Sequence, residues 1–330
     1  MKGTYVTAFI VRVPATLANL GSCFHCLGLA LSLYNTYRLE TLPSISGQQT
    51  ALPILITNLG SQGYAPASDD LFCRAFCLPF ERRGLSLPSV RVQMSLEIPD
   101  DSGLGSRTAA AVGGLLGANR YLKKKQLAFD MDELILLAME LAADLHADTV
   151  AAALLGGLAV AVVQDRKVYT TAMPLPGELK VIIFRPTFTM GRCEEQRPVS
   201  AWYSRTDATS YTSRIALLLS ALQTGQYHLL ASTMQDQLRP PFQPLWPLTV
   251  AALTEEAMAA GAHGACFLDH ASTLFALASH SYDRIISAIQ ARAHTLKLAG
   301  SCQLLPIENR GASTHPVSLS LPQVAHQRAV

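Results

Sequence analysis

Ile98-Pro99-Asp100-Asp101-Ser102-Gly103-Leu104-Gly105-Ser106-Arg107-Thr108 runs straight into Ala109-Ala110-Ala111-Val112-Gly113-Gly114. Two glycines one residue apart, followed at once by a helix-forming run of small residues, place a bend at a helix N-terminus. Glycine accepts positive φ and lets a ligand come close to the backbone amides. The first turn of a helix offers unpaired N–H groups and the positive end of its dipole, which together favour an anion. Phosphate is the first candidate; the alternative is a tight connection whose glycines serve packing alone. No Lys-Ser or Lys-Thr follows the last glycine, so this is not a Walker loop, and the dinucleotide-binding spacing of glycines is absent.

The elements around this turn follow from periodicity. Val90 to Ile98 alternates apolar and polar residues, which predicts a strand leading in, and the small-residue helix leads out to about Leu122. Upstream, Tyr5 to Val13 reads as a strand that breaks at Pro14. A loop of small residues follows, then a second apolar run to Leu39. Asp69-Asp70 precedes a helical pattern from Leu71 to Arg83, stopped by Gly84. Asp130 to Leu145 is another helix, capped by Asp130 or Asp132. His146 to Gly157 interrupts the pattern before a strand from Leu158 to Gln164. Beyond a composition shift near Lys180, strands are expected at Val181–Phe184, Ala265–Leu268 and Leu274–Ala278. Helices are expected at Arg214–Leu222, Gln226–Leu238, Thr249–Ala260 and Tyr282–Ala299. Irregular alternation of this kind predicts an α+β protein of two closely joined lobes.

Composition narrows the function. Of 330 residues, 49% are hydrophobic and 15% charged, enough for a substantial core, and a net charge of +2 gives no general pull toward nucleic acid or membrane. The most apolar run, Val150 to Val163, is shorter than the roughly 20 residues of a membrane span. Met1 to Val13 reads as strand and not as a secretory signal. The seven cysteines are scattered. Neither Cys23–Cys26 nor Cys73–Cys77 is completed to a tetrahedral metal site, so reduced thiols in a cytoplasmic protein are expected.

Three separated segments carry a resemblance. Pro14-Ala15-Thr16-Leu17-Ala18-Asn19-Leu20-Gly21 with Leu27-Gly28-Leu29-Ala30-Leu31 resembles the first signature of homoserine kinases. Gly103-Leu104-Gly105-Ser106 resembles the phosphate loop of the GHMP kinase superfamily to which they belong. His146 to Gly157 resembles the homoserine kinase segment His-Pro-Asp-Asn-Val-Ala-Pro-Ala-Leu-Leu-Gly-Gly. The resemblance implies a two-lobed GHMP kinase fold, with a ribosomal protein S5-like N-terminal lobe over 1–165 and a ferredoxin-like C-terminal lobe over 166–312. Residues 313–330 are expected to form a flexible tail. It further implies transfer of the ATP γ-phosphoryl group to the hydroxyl of L-homoserine, on the route to threonine. Pro99, Asp100, Asp101, Ser102, Gly103, Leu104, Gly105, Ser106, Arg107, Thr108 and Ala109 would hold ATP, and Mg2+ would bridge its phosphates.

The sequence departs from that pattern at the chemistry. Arg107 replaces a second serine expected to help hold the metal; its guanidinium either pairs with phosphate or turns outward from the helix. Asp144 stands for the family's metal-binding glutamate and is the expected magnesium ligand. His25 replaces an aspartate that would grip the substrate ammonium group. Asn19, Asp148 and Arg214 are retained as substrate contacts, and Gln243 aligns with a second expected arginine. Leu268-Asp269-His270-Ala271-Ser272-Thr273 has lost every glycine of the third signature, normally Ser-Gly-Ala-Gly-Pro-Thr. The alternatives are a non-catalytic protein of this fold that binds a ligand or partner, or a kinase for another small hydroxyl compound. The expected partner is a small-molecule substrate, and a homodimer is among the assemblies the sequence allows.

Overall fold

The computed structural model describes residues 8–18, 20–21, 25–42, 54–58, 70–187, 204–234, 246–268 and 273–317. Alternating runs such as Val90–Leu96 and continuous apolar runs such as the one within Thr273–Ala278 build two sheets. In the first, β1 (Ala8–Ala18) pairs antiparallel with the long β2 (Leu27–Thr41). The end of β2 pairs antiparallel with β4 (Val90–Leu96), and β3 (Ile54–Asn58) lies parallel to β4. The start of β2 pairs with β5 (Leu158–Gln164), which turns back into β6 (Lys167–Met173). Pro14 does not end β1 as expected. The ladder slips register between Pro14 and Ala15 and continues to Ala18. Proline has no N–H to donate, so the irregularity falls where the fewest bonds are lost.

Four helices pack with this sheet around one core: α1 (Leu71–Arg82), α2 (Ser106–Lys123), α3 (Met131–Leu141) and α4 (Ala147–Leu155). Asp70 caps α1 by accepting from the Phe72 N–H at 2.6 Å, and Asp130 with Glu133 forms a capping box on α3. The small residues of α2 have a steric cause. A Cβ on Gly113 would meet the Tyr37 ring at 2.4 Å, and one on Gly114 would meet the Phe72 carbonyl at 2.3 Å. The helix thus sits closer to β2 and α1 than ordinary side chains allow. Residues 147–155, expected as an interruption, form α4, while α3 stops at Leu141, short of the expected Leu145.

The second sheet is antiparallel throughout. Its strands β7 (Lys180–Pro186), β8 (Gly264–Leu268), β9 (Thr273–Ala278) and β10 (Gly300–Pro306) lie in the order β10-β7-β9-β8. Between β7 and β8 come α5 (Arg205–Thr224), a 3-10 turn at Tyr227–Leu229, the short α6 (Leu230–Thr233) and α7 (Trp246–Ala259). The helix expected over Gln226–Leu238 is therefore a 3-10 turn plus one α-turn, with 235–238 outside the described residues. α8 (Tyr282–Thr295) lies between β9 and β10. Period-2 alternation makes β7 two-faced. Val181 and Ile183 join the core of the first lobe, while Ile182 and Phe184 pack with Leu253 of α7 and Ile285 and Ile289 of α8.

Two expected boundaries move. Placing a division after residue 165 would cut the β5–β6 hairpin at its turn, Asp165-Arg166, where both residues have positive φ and Gln164 faces Lys167. β6 belongs to the first sheet, so the lobes meet between β6 and β7. Residues 313–316 are not tail either: they form β11 (Ser313–Pro316), paired with β1, and the Ala312 N–H bonds the Ala153 carbonyl at 2.7 Å. Residues 318–330 lie outside the described residues. No described helix is long and apolar enough to cross a membrane.

Candidate active site

The glycine turn is a fixed structure held from both lobes. Asn35 on β2 accepts from the Ile98 N–H at 3.0 Å and anchors the chain as it leaves β4. Ser102 is buried; its hydroxyl donates to the Pro99 carbonyl at 2.6 Å and accepts from the Leu104 N–H at 3.3 Å. Gly103 and Gly105 have φ of 72° and 74°. At Gly105 a Cβ would stand 2.2 Å from the Thr16 Oγ1, and the Thr16 N–H donates to the Leu104 carbonyl at 3.0 Å. From the other lobe, the buried Thr273 at the head of β9 donates through Oγ1 to the Ser102 carbonyl at 2.9 Å.

The turn ends in an uncapped helix. Gly105 is the N-cap of α2 and offers no side chain, and the first turn contains no acidic residue. The first N–H groups of any helix lack intrahelical partners. Here they join the dipole in a patch suited to an anion. Pro99, Gly103, Gly105 and Ser106 are partly accessible along it, Asp100, Asp101 and Arg107 are exposed, and Leu104, Thr108 and Ala109 are buried supports. The side chains of the last three are packed inside and hold the loop's shape.

Arg107 projects from the second position of α2 and meets Asp144. Its Nε donates to Oδ2 at 2.6 Å and its Nη2 to Oδ1 at 3.1 Å. Asp144 lies on the connection between α3 and α4, so the pair joins the phosphate turn to the His146 segment. Magnesium sites in phosphotransferases use one or two carboxylates with phosphate oxygens and water. The expected ligand Asp144 has both oxygens engaged by a cationic side chain, and position 107 provides no oxygen. Among the described residues no group of three His, Cys, Asp or Glu gathers as a metal site. The donors as arranged do not fit a protein-held magnesium ion.

On the substrate side, the rings of His25 and His146 meet at a tilt of 39° with centroids 3.7 Å apart. Burial holds His146 below its ordinary pKa, with the nearby Asp144 carboxylate opposing in part, so the ring is neutral at pH 7. Two positions later, Asp148 is fully buried in the first turn of α4, and neither carboxylate oxygen has a hydrogen-bond partner. Burial pushes this carboxyl up to about 6; the N–H groups of Thr149 and of Asp148 itself pull back without reaching hydrogen-bond geometry. Arg214 on α5 donates to the Ser232 carbonyl, which ties α5 to α6. Asn19 and Gln243 lie outside the described residues, as do Asp269 to Ser272.

Sequence reasoning passed over Thr16, Thr273 and the partnership of His146 with His25. The two threonines carried one weak signal: each is a lone hydroxyl in or beside an apolar strand. Nothing in the sequence pairs Thr273 with Ser102, because 171 residues separate them.

Residues 70–157 match the family model for the GHMP kinases N terminal domain. The chain is 31% identical over 311 residues to the homoserine kinase of Microchaete diplosiphon, covering 94% of this chain and 98% of that protein. It is 31% identical over 312 residues to the homoserine kinase of Desulfitobacterium hafniense, covering 92% and 98%. The crystal structure of homoserine kinase from Cytophaga hutchinsonii superposes with a TM-score of 0.78 at 22% identity, over 93% of this chain and 97% of that one. That last likeness shows the two-lobed fold.

Proposed function

The chain belongs to the homoserine kinase family of the GHMP kinases, and we propose that it transfers the γ-phosphoryl group of ATP to the side-chain hydroxyl of L-homoserine. The observation that carries this reading is the turn at Gly103–Gly105, fixed by Thr16 from one lobe and Thr273 from the other, at the uncapped start of α2. Phosphoryl transfer asks a protein chiefly for positioning and for stabilising charge on phosphate oxygens. The amides from Gly103 to Thr108 are suited to both. In the reaction the hydroxyl oxygen bonds to the γ-phosphorus and the bond to the bridging oxygen breaks. ADP leaves with that electron pair, and the hydroxyl proton passes to phosphate or solvent. ATP enters with Mg2+ on its phosphates, as substrate.

Arg107 is the residue we assign to the phosphates, with Asp144 orienting it. Asp148 is the carboxylate we assign to the substrate ammonium group. Its charge is buried and unpaired, the position of a group that gains most from a cationic partner. Among the described residues Cys73, Cys77 and Cys302 are thiols outside any disulfide, which supports a reducing, cytoplasmic setting.

The test is ADP release in a coupled assay across a panel of small hydroxyl compounds. The highest kcat/KM is expected with L-homoserine, and no ADP release with any acceptor would contradict the assignment. A second reading, a kinase for a hydroxy acid without an ammonium group, is favoured by His25 at the place where an aspartate was expected. On that reading 4-hydroxybutyrate outperforms homoserine, and His25→Asp reverses the order.

A further inference from the structure

We propose that Arg107, oriented by Asp144, takes at the triphosphate the place of a protein-held divalent cation, so that ATP binds this chain about equally well with or without Mg2+ on its phosphates. The inference rests on Gly103–Thr108 being the ATP site. The pair stands at the mouth of the only described helix that begins at this turn, one residue into the uncapped first turn of α2. A guanidinium carries five N–H donors in a rigid fork. Asp144 uses one on Nε and one on Nη2, which leaves three, both of those on Nη1 included. That remaining edge has the planar geometry that suits phosphate oxygens.

The same contact removes the protein's means of holding a cation. A magnesium ion bound by Asp144 would have to displace a two-bond guanidinium partner, and no hydroxyl stands at position 107 to complete its shell. The pair is also a poor candidate for fold stabilisation. Its side chains are 48% and 54% exposed, and ion pairs at such exposure contribute little to stability. An arginine fixed by two hydrogen bonds, yet half in solvent beside an anion-binding helix start, is arranged for a ligand.

The experiment is calorimetric titration of ATP into the full chain, once in excess EDTA and once in excess MgCl2. Dissociation constants within fivefold of each other are expected. With Arg107→Ser, binding in EDTA is expected to weaken more than tenfold. With Asp144→Asn, which removes any carboxylate ligand and loosens Arg107, ATP binding is expected to weaken by the same factor, to within threefold, in EDTA and in MgCl2. Binding to the unmodified chain that is more than fivefold weaker in EDTA would overturn the proposal while leaving the ATP site standing. So would a loss on Asp144→Asn that is at least threefold greater in MgCl2 than in EDTA. No binding in either solution would overturn the ATP site itself, and the proposal with it.

Discussion

Across 37 residues of sequence, the guanidinium of Arg107 holds the carboxylate of Asp144 by two hydrogen bonds, at 2.6 and 3.1 Å. The contact couples the start of α2 to the segment that carries His146 and Asp148. It thereby links the phosphate turn to the substrate side through side chains alone.

Replacing Arg107 by alanine separates binding from folding. A hydrogen bond to a charged group contributes about 1.5–3 kcal/mol, so KM for ATP should rise roughly tenfold to a hundredfold. The melting temperature should stay within a degree or two, because an exposed pair adds about 0–1 kcal/mol. Steady-state kinetics beside a thermal melt reads both. A large drop in melting temperature with unchanged KM would make the pair structural.

Thr273→Val keeps the shape of a buried side chain and removes its hydroxyl. The Ser102 carbonyl then loses the bond that β9 supplies, at a cost of about 1–3 kcal/mol. Urea unfolding should show that loss, and kcat should fall with it because the turn is no longer held from the second lobe. Unchanged kcat in a destabilised variant would mean that the clamp from the first lobe suffices.

Gly105→Ala puts a Cβ 2.2 Å from the Thr16 Oγ1 on a backbone at φ 74°. The left-handed conformation alone costs about 1–2 kcal/mol for a residue with a Cβ. ATP binding, followed by calorimetry, should weaken at least tenfold. Combining the change with Thr16→Ala relieves the contact but not the positive φ, so partial recovery is expected. Full recovery would assign the whole effect to the clash.

The buried Asp148 makes stability depend on pH in a definite direction. Its carboxyl, pushed up to about 6 from an ordinary value of 3.8, binds a proton more tightly in the folded chain than in the unfolded one. Its favourable contribution is therefore complete below the ordinary value and is lost as pH rises through about 6. Asp148→Asn removes that loss. The stability difference between variant and unmodified chain should shift in the variant's favour by roughly 3 kcal/mol between pH 3 and pH 7. Urea midpoints across that interval measure it, and a difference that does not change with pH would contradict the buried, unpaired carboxylate.

Local signals made much of the fold legible. Asp70 and Asp130 announced their helices because caps act within three residues; alternation located β4, and a short unbroken apolar run located β9. What failed depended on distant partners. Residues 313–316 look like a polar tail until β1 provides an edge for them to pair with. Pro14 looks like a stop until β2 accommodates a slip in register. At the site, the glycine turn was visible because its backbone requirement is local. Arg107 could be singled out, but its two open readings, toward phosphate or outward, missed the carboxylate it meets. Thr273 was hidden because its function lies in one hydrogen bond to a residue in the other lobe.

Phosphoryl transfer to homoserine is read by 31P NMR of the chain incubated with MgATP and L-homoserine. A phosphomonoester resonance matching O-phosphohomoserine is expected to grow in one-to-one proportion with ADP. Bound ATP with no phosphomonoester, under conditions where calorimetry shows both ligands saturating, would contradict it and leave a nucleotide-binding protein without turnover.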